Sequence, residues 1–258
     1  MQRRIHTWTR VITLALVCAA PVSESTGTSA LALRSRYRIV LAADSRVLYS
    51  PSRSATECKL FEIRDVYATV SGLAHYGTTY RATDAIRDGF GRSGSFEDHV
   101  SATAYFLQQR IERLLGNLRR SNPSAYRSLW LRSSQSADFV QLAVAQSVTG
   151  RPMLGIVELR RASGESSFTT RTTICPGNCA RNDAIFYLGY WERIRPYVAD
   201  FGQPRTVASA ASIDRLIRME IGAHPAEVGA PINILELSGS GARWLQNSGN
   251  CSLPGVGW

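Results

Sequence analysis

GTSALALRSRYRIVLAADSR, residues 27–46, decides how the rest of the chain is read. It places a small residue, Gly27, before a hydroxyl residue, Thr28. Two short apolar runs follow, 29–34 and 37–43, and the stretch reaches an acidic residue at Asp44. The runs read as two short strands or one bent strand. Upstream, Arg3, Arg4 and Arg10 precede an apolar run from Val11 to Ala20, too short to cross a bilayer as a helix. That run carries Val17-Cys18-Ala19, small enough for a signal peptidase. The expected organisation is a signal peptide over 1–20, a short propeptide over 21–27 and a single domain over 28–258. A second cut between Gly27 and Thr28 would leave Thr28 with a free α-amine.

The span 28–258 is long enough to bury one large core. With 44% hydrophobic and 19% charged residues, the composition is that of an ordinary globular chain. A net charge of +10 invites a nucleic-acid reading, but the basic residues are spread along the chain. The densest group, Arg110, Arg113, Arg119 and Arg120, lies on a helical pattern without interleaved aromatics and reads as a solvated face. No nucleic-acid partner is expected. No later stretch is long and apolar enough to span a membrane, so the mature chain is expected to be exported, to the periplasm or outside the cell, without stable membrane insertion.

Four cysteines follow the signal, Cys58, Cys175, Cys179 and Cys251, and they allow three pairings. Cys175-Pro-Gly-Asn-Cys179 wraps a turn, which favours a local disulfide over a metal site. No second ligand pair accompanies it, and no cofactor or metal is implied. Of the thirty Lys and Arg residues, only Lys59 is a lysine. Arg stays protonated in proteins, whereas a partly buried Lys shifts its pKa and acts as a compact point charge.

Strand patterns at 56–63 and 66–71 lead to helical spacing over 78–90 and 96–120, the latter closed by Asn122-Pro123-Ser124. After a linker containing Trp130, strands are expected at 138–148 and 152–160 around Thr149-Gly150, then near 165–173 and at 183–189. Helices at 191–200 and 205–222 precede a closing hairpin, 231–237 and 240–245. Strands, two helices, strands, two helices, strands is a segregated α+β order.

These residues carry a resemblance. TSALALRSRYRIVLAADSR, CKLFEI, VSGLAHYG and VGAPINILELSGSGARWL, in this order and spacing, resemble proteasome β-type subunits and the related bacterial heat-shock peptidase subunit. The likeness runs, with gaps, over most of 28–245. It implies a four-layer αββα sandwich of N-terminal nucleophile hydrolase type, and a threonine hydrolase acting on peptide or other amide bonds after self-processing at Gly27–Thr28. Thr28 falls sixteen residues before Asp44, as the family's Thr and Asp do. The resemblance assigns Thr28 as nucleophile, Lys59 and Asp44 as its charged partners and the Gly72 amide as oxyanion donor. Gly189, Tyr190 and Glu227 become candidate supporting residues, with Tyr190 where the family carries Ser. Pro225 and Val228 stand in the stretch where the family has Asp and Ser. The chemistry is self-consistent. A Thr hydroxyl needs a base, and a free α-amine, with an ordinary pKa of about 7.7–8.0, is partly neutral at mild pH. The resemblance also raises assembly into a homo-oligomer, with a ring, a smaller oligomer and a monomer all left open. The alternatives are a non-catalytic binding or assembly subunit of the same fold and a small-molecule amide hydrolase.

Overall fold

A computed structural model describes residues 28–50, 53–132, 138–161, 167–179, 184–201, 209–249 and 251. The segments expected as signal peptide and propeptide, with the Gly27 side of the expected cut, lie outside the described residues.

The opening stretch forms β1 (Ser29–Arg34) and β2 (Arg38–Asp44), paired antiparallel. They sit in a five-stranded sheet with β12 (Ala184–Gly189), β13 (Ile232–Ser238) and β14 (Gly241–Gln246), in the order β12-β1-β2-β13-β14. The near-continuous apolar sequence follows from burial on both faces. Successive side chains alternate sides, so Ala30, Ala32, Ile39 and Leu41 enter one core while Leu31, Leu33, Val40 and Ala42 enter another.

The second sheet has the order β11-β10-β9-β6-β5. Its strands are β5 (Leu60–Ile63), β6 (Val66–Gly72), β9 (Asp138–Val148), β10 (Arg151–Arg161) and β11 (Phe168–Cys175). Thr149 and Gly150 make the β9–β10 turn, both with positive φ, which suits the twist of a tight hairpin. One apolar cluster combines Ala30, Leu41 and Leu235 of the first sheet with Ala143, Leu154 and Ile156 of the second.

Two further clusters pack helices against the sheets. The second sheet meets α1 (Ala82–Phe90), α2 (Phe96–Ser121) and α3 (Pro123–Arg132) through Ile86, Leu107, Ile111 and Leu129. The first sheet meets α4 (Ile194–Phe201) and α5 (Ala210–Ala223) through Ile194, Ile213, Leu216 and Ile217. The described chain is mixed α/β, with antiparallel five-stranded sheets and five helices.

Two stretches differ from expectation. Residues 123–132 form α3 instead of a linker, because Asn122 has two roles. Its N–H closes α2 on the Leu118 carbonyl, and its side chain then caps the next helix by accepting from Ala125 N–H at 3.1 Å. Pro123 occupies the first helical position, where its missing N–H costs nothing. The stretch 44–54, whose polar sequence and Ser50-Pro51-Ser52 predict a turn or loop, contributes to a hairpin, β3 (Arg46–Ser50) with β4 (Arg53–Thr56). Residues 57–59 leave the strand pattern there: the Ser45 carbonyl takes the Glu57 N–H, Cys58 is bridged to Cys251 and Lys59 pairs with Asp44.

Candidate active site

Thr28 lies just ahead of β1 and is only 2% exposed; Asp44, at the end of β2, is 0% exposed and Lys59, just before β5, is 4% exposed. The Lys59 ammonium donates to Asp44 Oδ1 at 2.9 Å. The same oxygen accepts the backbone N–H of Ser29 at 3.0 Å, which fixes the strand immediately after Thr28. Asp44 Oδ2 accepts two more backbone N–H groups, from Arg46 and Gly229, each at 3.0 Å. Four donors therefore converge on one buried carboxylate, the arrangement that makes burying a charge tolerable.

The turn carrying Lys59 is held by neighbours on both sides. Glu57 N–H donates to the Ser45 carbonyl at 2.8 Å, and Ser45 N–H donates to the Gly229 carbonyl at 3.0 Å. The Ser45 hydroxyl accepts from Asn233 Nδ2 at 2.9 Å. Cys58 is bonded to Cys251, so a disulfide lies directly beside the lysine; Cys175 and Cys179 form the local bridge. Burial pulls the Lys59 pKa below the ordinary lysine range. The charges of Asp44 and Glu57 oppose that drop, and Arg46 adds to it.

Gly189 and Tyr190 meet Thr28 through the backbone. Tyr190 N–H donates to the Thr28 carbonyl at 2.9 Å, and the Ser29 hydroxyl donates to the Tyr190 carbonyl at 3.1 Å. Gly189 has φ +75°, and a Cβ there would overlap the Thr28 carbonyl oxygen and crowd Ser71 Oγ. Only glycine fits this approach. Gly189→Ala is expected to destabilise the fold by at least about 2 kcal/mol in urea denaturation, since overlap adds to the backbone strain. Gly150→Ala isolates the strain alone, having φ +77° with open space around it. It should cost only about 1 kcal/mol.

Gly72 ends β6 with φ +81°, opposite Val140 of β9, where a Cβ would overlap the Phe139 carbonyl. Its neighbour Ser71 faces Gln141 across the ladder, and Gln141 Oε1 accepts Gly189 N–H at 2.8 Å. Gln141 in turn donates to Asp138 at 2.9 Å. Ser71 and Gln141 link the strand bearing Gly72 to the Thr28 end of the other sheet. Neither was singled out from the sequence. A polar pair inside an apolar strand run was their only signal.

Glu227 lies on the far side of Tyr190. Its N–H donates to the His224 carbonyl at 3.1 Å, and His224 packs on the Tyr190 ring with centroids 4.4 Å apart. Burial, with the charges of Glu227 and Glu192, pushes the Tyr190 phenol above the ordinary tyrosine range and keeps it protonated.

Solved structures share this arrangement of sheets and helices. The fold resembles Anbu. A Gly-1 mutant of Anbu from Hyphomicrobium sp. strain MC1 matches with a TM-score of 0.53 at 12% identity, covering 82% of both chains. Anbu from Yersinia bercovieri, described as an ancestral beta-subunit, matches with a TM-score of 0.52 at 13% identity, covering 85% of this chain and 88% of that one. The Anbu complex from Pseudomonas aeruginosa, solved as a helical assembly, gives 0.54 at 17% identity over 81% of each chain. No protein-family model matches the sequence, nor does any curated protein.

These findings correct the resemblance drawn from the short motifs. Assignment to the proteasome β-type and heat-shock peptidase subunits does not stand, because no family model matches and the structural likeness is to Anbu at 12–17% identity. What the chain shares with Anbu is a proteasome-related fold. Motifs of 6 to 19 residues also occur wherever similar strands and turns recur, so their order reflects the fold. Among the described residues, no helix is long and apolar enough to cross a membrane.

Proposed function

We propose that this chain is an exported N-terminal nucleophile hydrolase with αββα layering, in which Thr28 attacks amide bonds, most directly those of peptides. The observation that carries the reading is the 2.9 Å ion pair between the chain's sole lysine and Asp44, buried beside the Ser29 amide. In self-processing, the Thr28 hydroxyl attacks the Gly27 carbonyl, the peptide C–N bond breaks and an ester forms. The Thr28 α-amine is freed in that step, and water then hydrolyses the ester, releasing the Gly27 carboxylate and restoring the Thr28 hydroxyl. In later cycles the neutral amine takes the hydroxyl proton, directly or through water. Lys59 supports this by placing positive charge near the nucleophile, and Asp44 holds Lys59 in position. Gly72 supplies a backbone N–H to the oxyanion, the kind of donor whose removal costs about 10²–10³ in rate.

The disulfides support the export reading, since such bonds persist in oxidising compartments. The helical assembly of the Pseudomonas aeruginosa Anbu complex supports a homo-oligomer here. A non-catalytic assembly subunit is the second reading, favoured by the Tyr190 ring being engaged with His224.

N-terminal sequencing of the exported protein separates the two. The wild type is expected to begin at Thr28 and Thr28→Ala upstream of it, near residue 20. Hydrolysis of peptide amides should fall at least about 10⁴-fold in the variant, as for loss of a catalytic nucleophile. A wild-type protein that begins near residue 20 and matches Thr28→Ala would overturn the catalytic reading.

A further inference from the structure

Beside Tyr190, side chains from two separate elements converge on one imidazole nitrogen. Glu220 in the last turn of α5 and His224 just beyond it are four residues apart, which stacks them on one helix face. Glu192 reaches them from the turn that leads into α4. Glu220 Oε2 lies 3.7 Å and Glu192 Oε2 3.8 Å from the same atom, His224 Nε2. One ligand atom from each residue falls within 4.8 Å of the other two.

Glu220 carries the decisive detail. It is 0% exposed, and its two oxygens have different surroundings. Oε1 accepts the N–H groups of Arg193 and Ile194, at 2.6 and 2.9 Å, and so caps the start of α4. Oε2 is buried, takes no hydrogen bond and faces the His224 ring nitrogen. A buried carboxylate oxygen without a donor is costly, and a cation offsets that cost.

We propose that Glu192, Glu220 and His224 bind a divalent first-row transition ion of the zinc class. Imidazole nitrogen with carboxylate oxygen suits such an ion, whereas calcium and magnesium sites are built from oxygen alone. Bonds of 2.0–2.2 Å arranged tetrahedrally hold ligand atoms about 3.4 Å apart, a few tenths of an ångström inside the two distances to His224. Glu192 and His224 are partly exposed, with side chains 61% and 31% accessible, which leaves an entry path and room for water as fourth ligand. The site is separate from the Lys59–Asp44 pair, and its test does not depend on Thr28 chemistry.

The test uses untagged mature protein, stripped with chelator and titrated with Zn²⁺, and in parallel with Co²⁺ for its visible absorption. One equivalent per chain is expected, with the band pattern of four-coordinate cobalt. Glu192→Gln and His224→Ala should each weaken zinc binding by more than about 100-fold, beyond the loss caused by disturbing partners outside the ligand shell. Asp214→Asn, also on α5 but in an exposed ion pair with Arg218, should leave zinc affinity unchanged. Glu192→Gln and His224→Ala preserve the Glu220 cap on α4, so they report on binding rather than folding. Absence of zinc uptake by the wild type, or affinity unchanged in His224→Ala, overturns the proposal and leaves a histidine ring beside two carboxylates.

Discussion

Asp44→Asn is expected to destabilise the protein by about 3–5 kcal/mol, the cost of breaking a buried ion pair from one side. The replacement is nearly isosteric, so packing changes little. Its amide group, however, must point at either the Ser29 and Lys59 donors or the Arg46 and Gly229 donors. Either orientation sets donor against donor in a fully buried place. It also removes the counter-charge at 2.9 Å from a lysine side chain that is 5% exposed. For a domain of this size, Tm should fall by roughly 6–20 °C in a thermal melt. Removing Asp84, which pairs with Arg87 on the half-exposed face of α1, should cost less than about 1 kcal/mol.

The pH dependence provides a second readout of the same pair. The folded-state pKa of Lys59 is lowered, so between that value and the ordinary lysine pKa of about 10.4 the unfolded chain binds more protons. Stability attributable to Lys59 therefore rises with pH through that alkaline window, up to about 10.4. It is lowest below the window, where burial penalises the charged ammonium. Urea titrations of wild type and Lys59→Met across mildly alkaline pH should differ by this slope. A slope of opposite sign would mean that Asp44 outweighs burial.

Removing the Cys58–Cys251 disulfide, as Cys58→Ala with Cys251→Ser, is expected to cost about 5 kcal/mol by the loop-entropy relation for a bridge across 193 residues. Entropy is one part of the effect. Cys251 lies beyond the last strand, and its backbone carbonyl accepts from Asn247 at 3.2 Å. Asn233 in turn bonds both Ser45 and Ser248, so the tail and the Lys59 turn are tied at more than one point. Loss of the bridge should loosen both, and amide hydrogen exchange at residues 57–60 should rise with it. Cys175 and Cys179 enclose only a short turn, and their removal should cost roughly 2 kcal/mol by the same relation. Equal losses for the two bridges would show that unfolded-state entropy does not govern this fold.

Much of the architecture was legible because its elements satisfy local and global demands together. β1 and β2 read as apolar runs since both of their faces are buried. α2 combines helical periodicity with a capping box between Ser95 and Asp98. α3 was hidden because Asn122-Pro123 looks like a stop and also serves as a start. The β3–β4 hairpin was hidden because its outer edge is polar.

Within the candidate site, Lys59 was legible from its rarity and Asp44 from its spacing to Thr28 in the motif resemblance. Gly229 and Gln141 were not, for different reasons. Gly229 contributes only backbone groups, an N–H to Asp44 and a carbonyl to Ser45, which any non-proline residue has. Gln141 finds Gly189 across 48 residues, a distance over which residue type carries no signal. The Glu192, Glu220 and His224 cluster was equally silent, since its members meet only after α4 and α5 pack. The motif resemblance reached the fold and overreached the family, because strands and tight turns constrain short stretches without specifying descent.

The carboxylate of Asp44 is also a clock. A chain made from its N-terminus exposes Thr28, Asp44 and Lys59 close together in time, but the Gly229 amide follows 185 residues after Asp44. β13, which pairs with β2, follows immediately. Until then one carboxylate oxygen has a single backbone donor and the end of β2 has no neighbour on its open side. The surroundings of Thr28 are therefore completed by a segment made long after it, and under the proposed chemistry a chain that stops before Gly229 cannot arm itself.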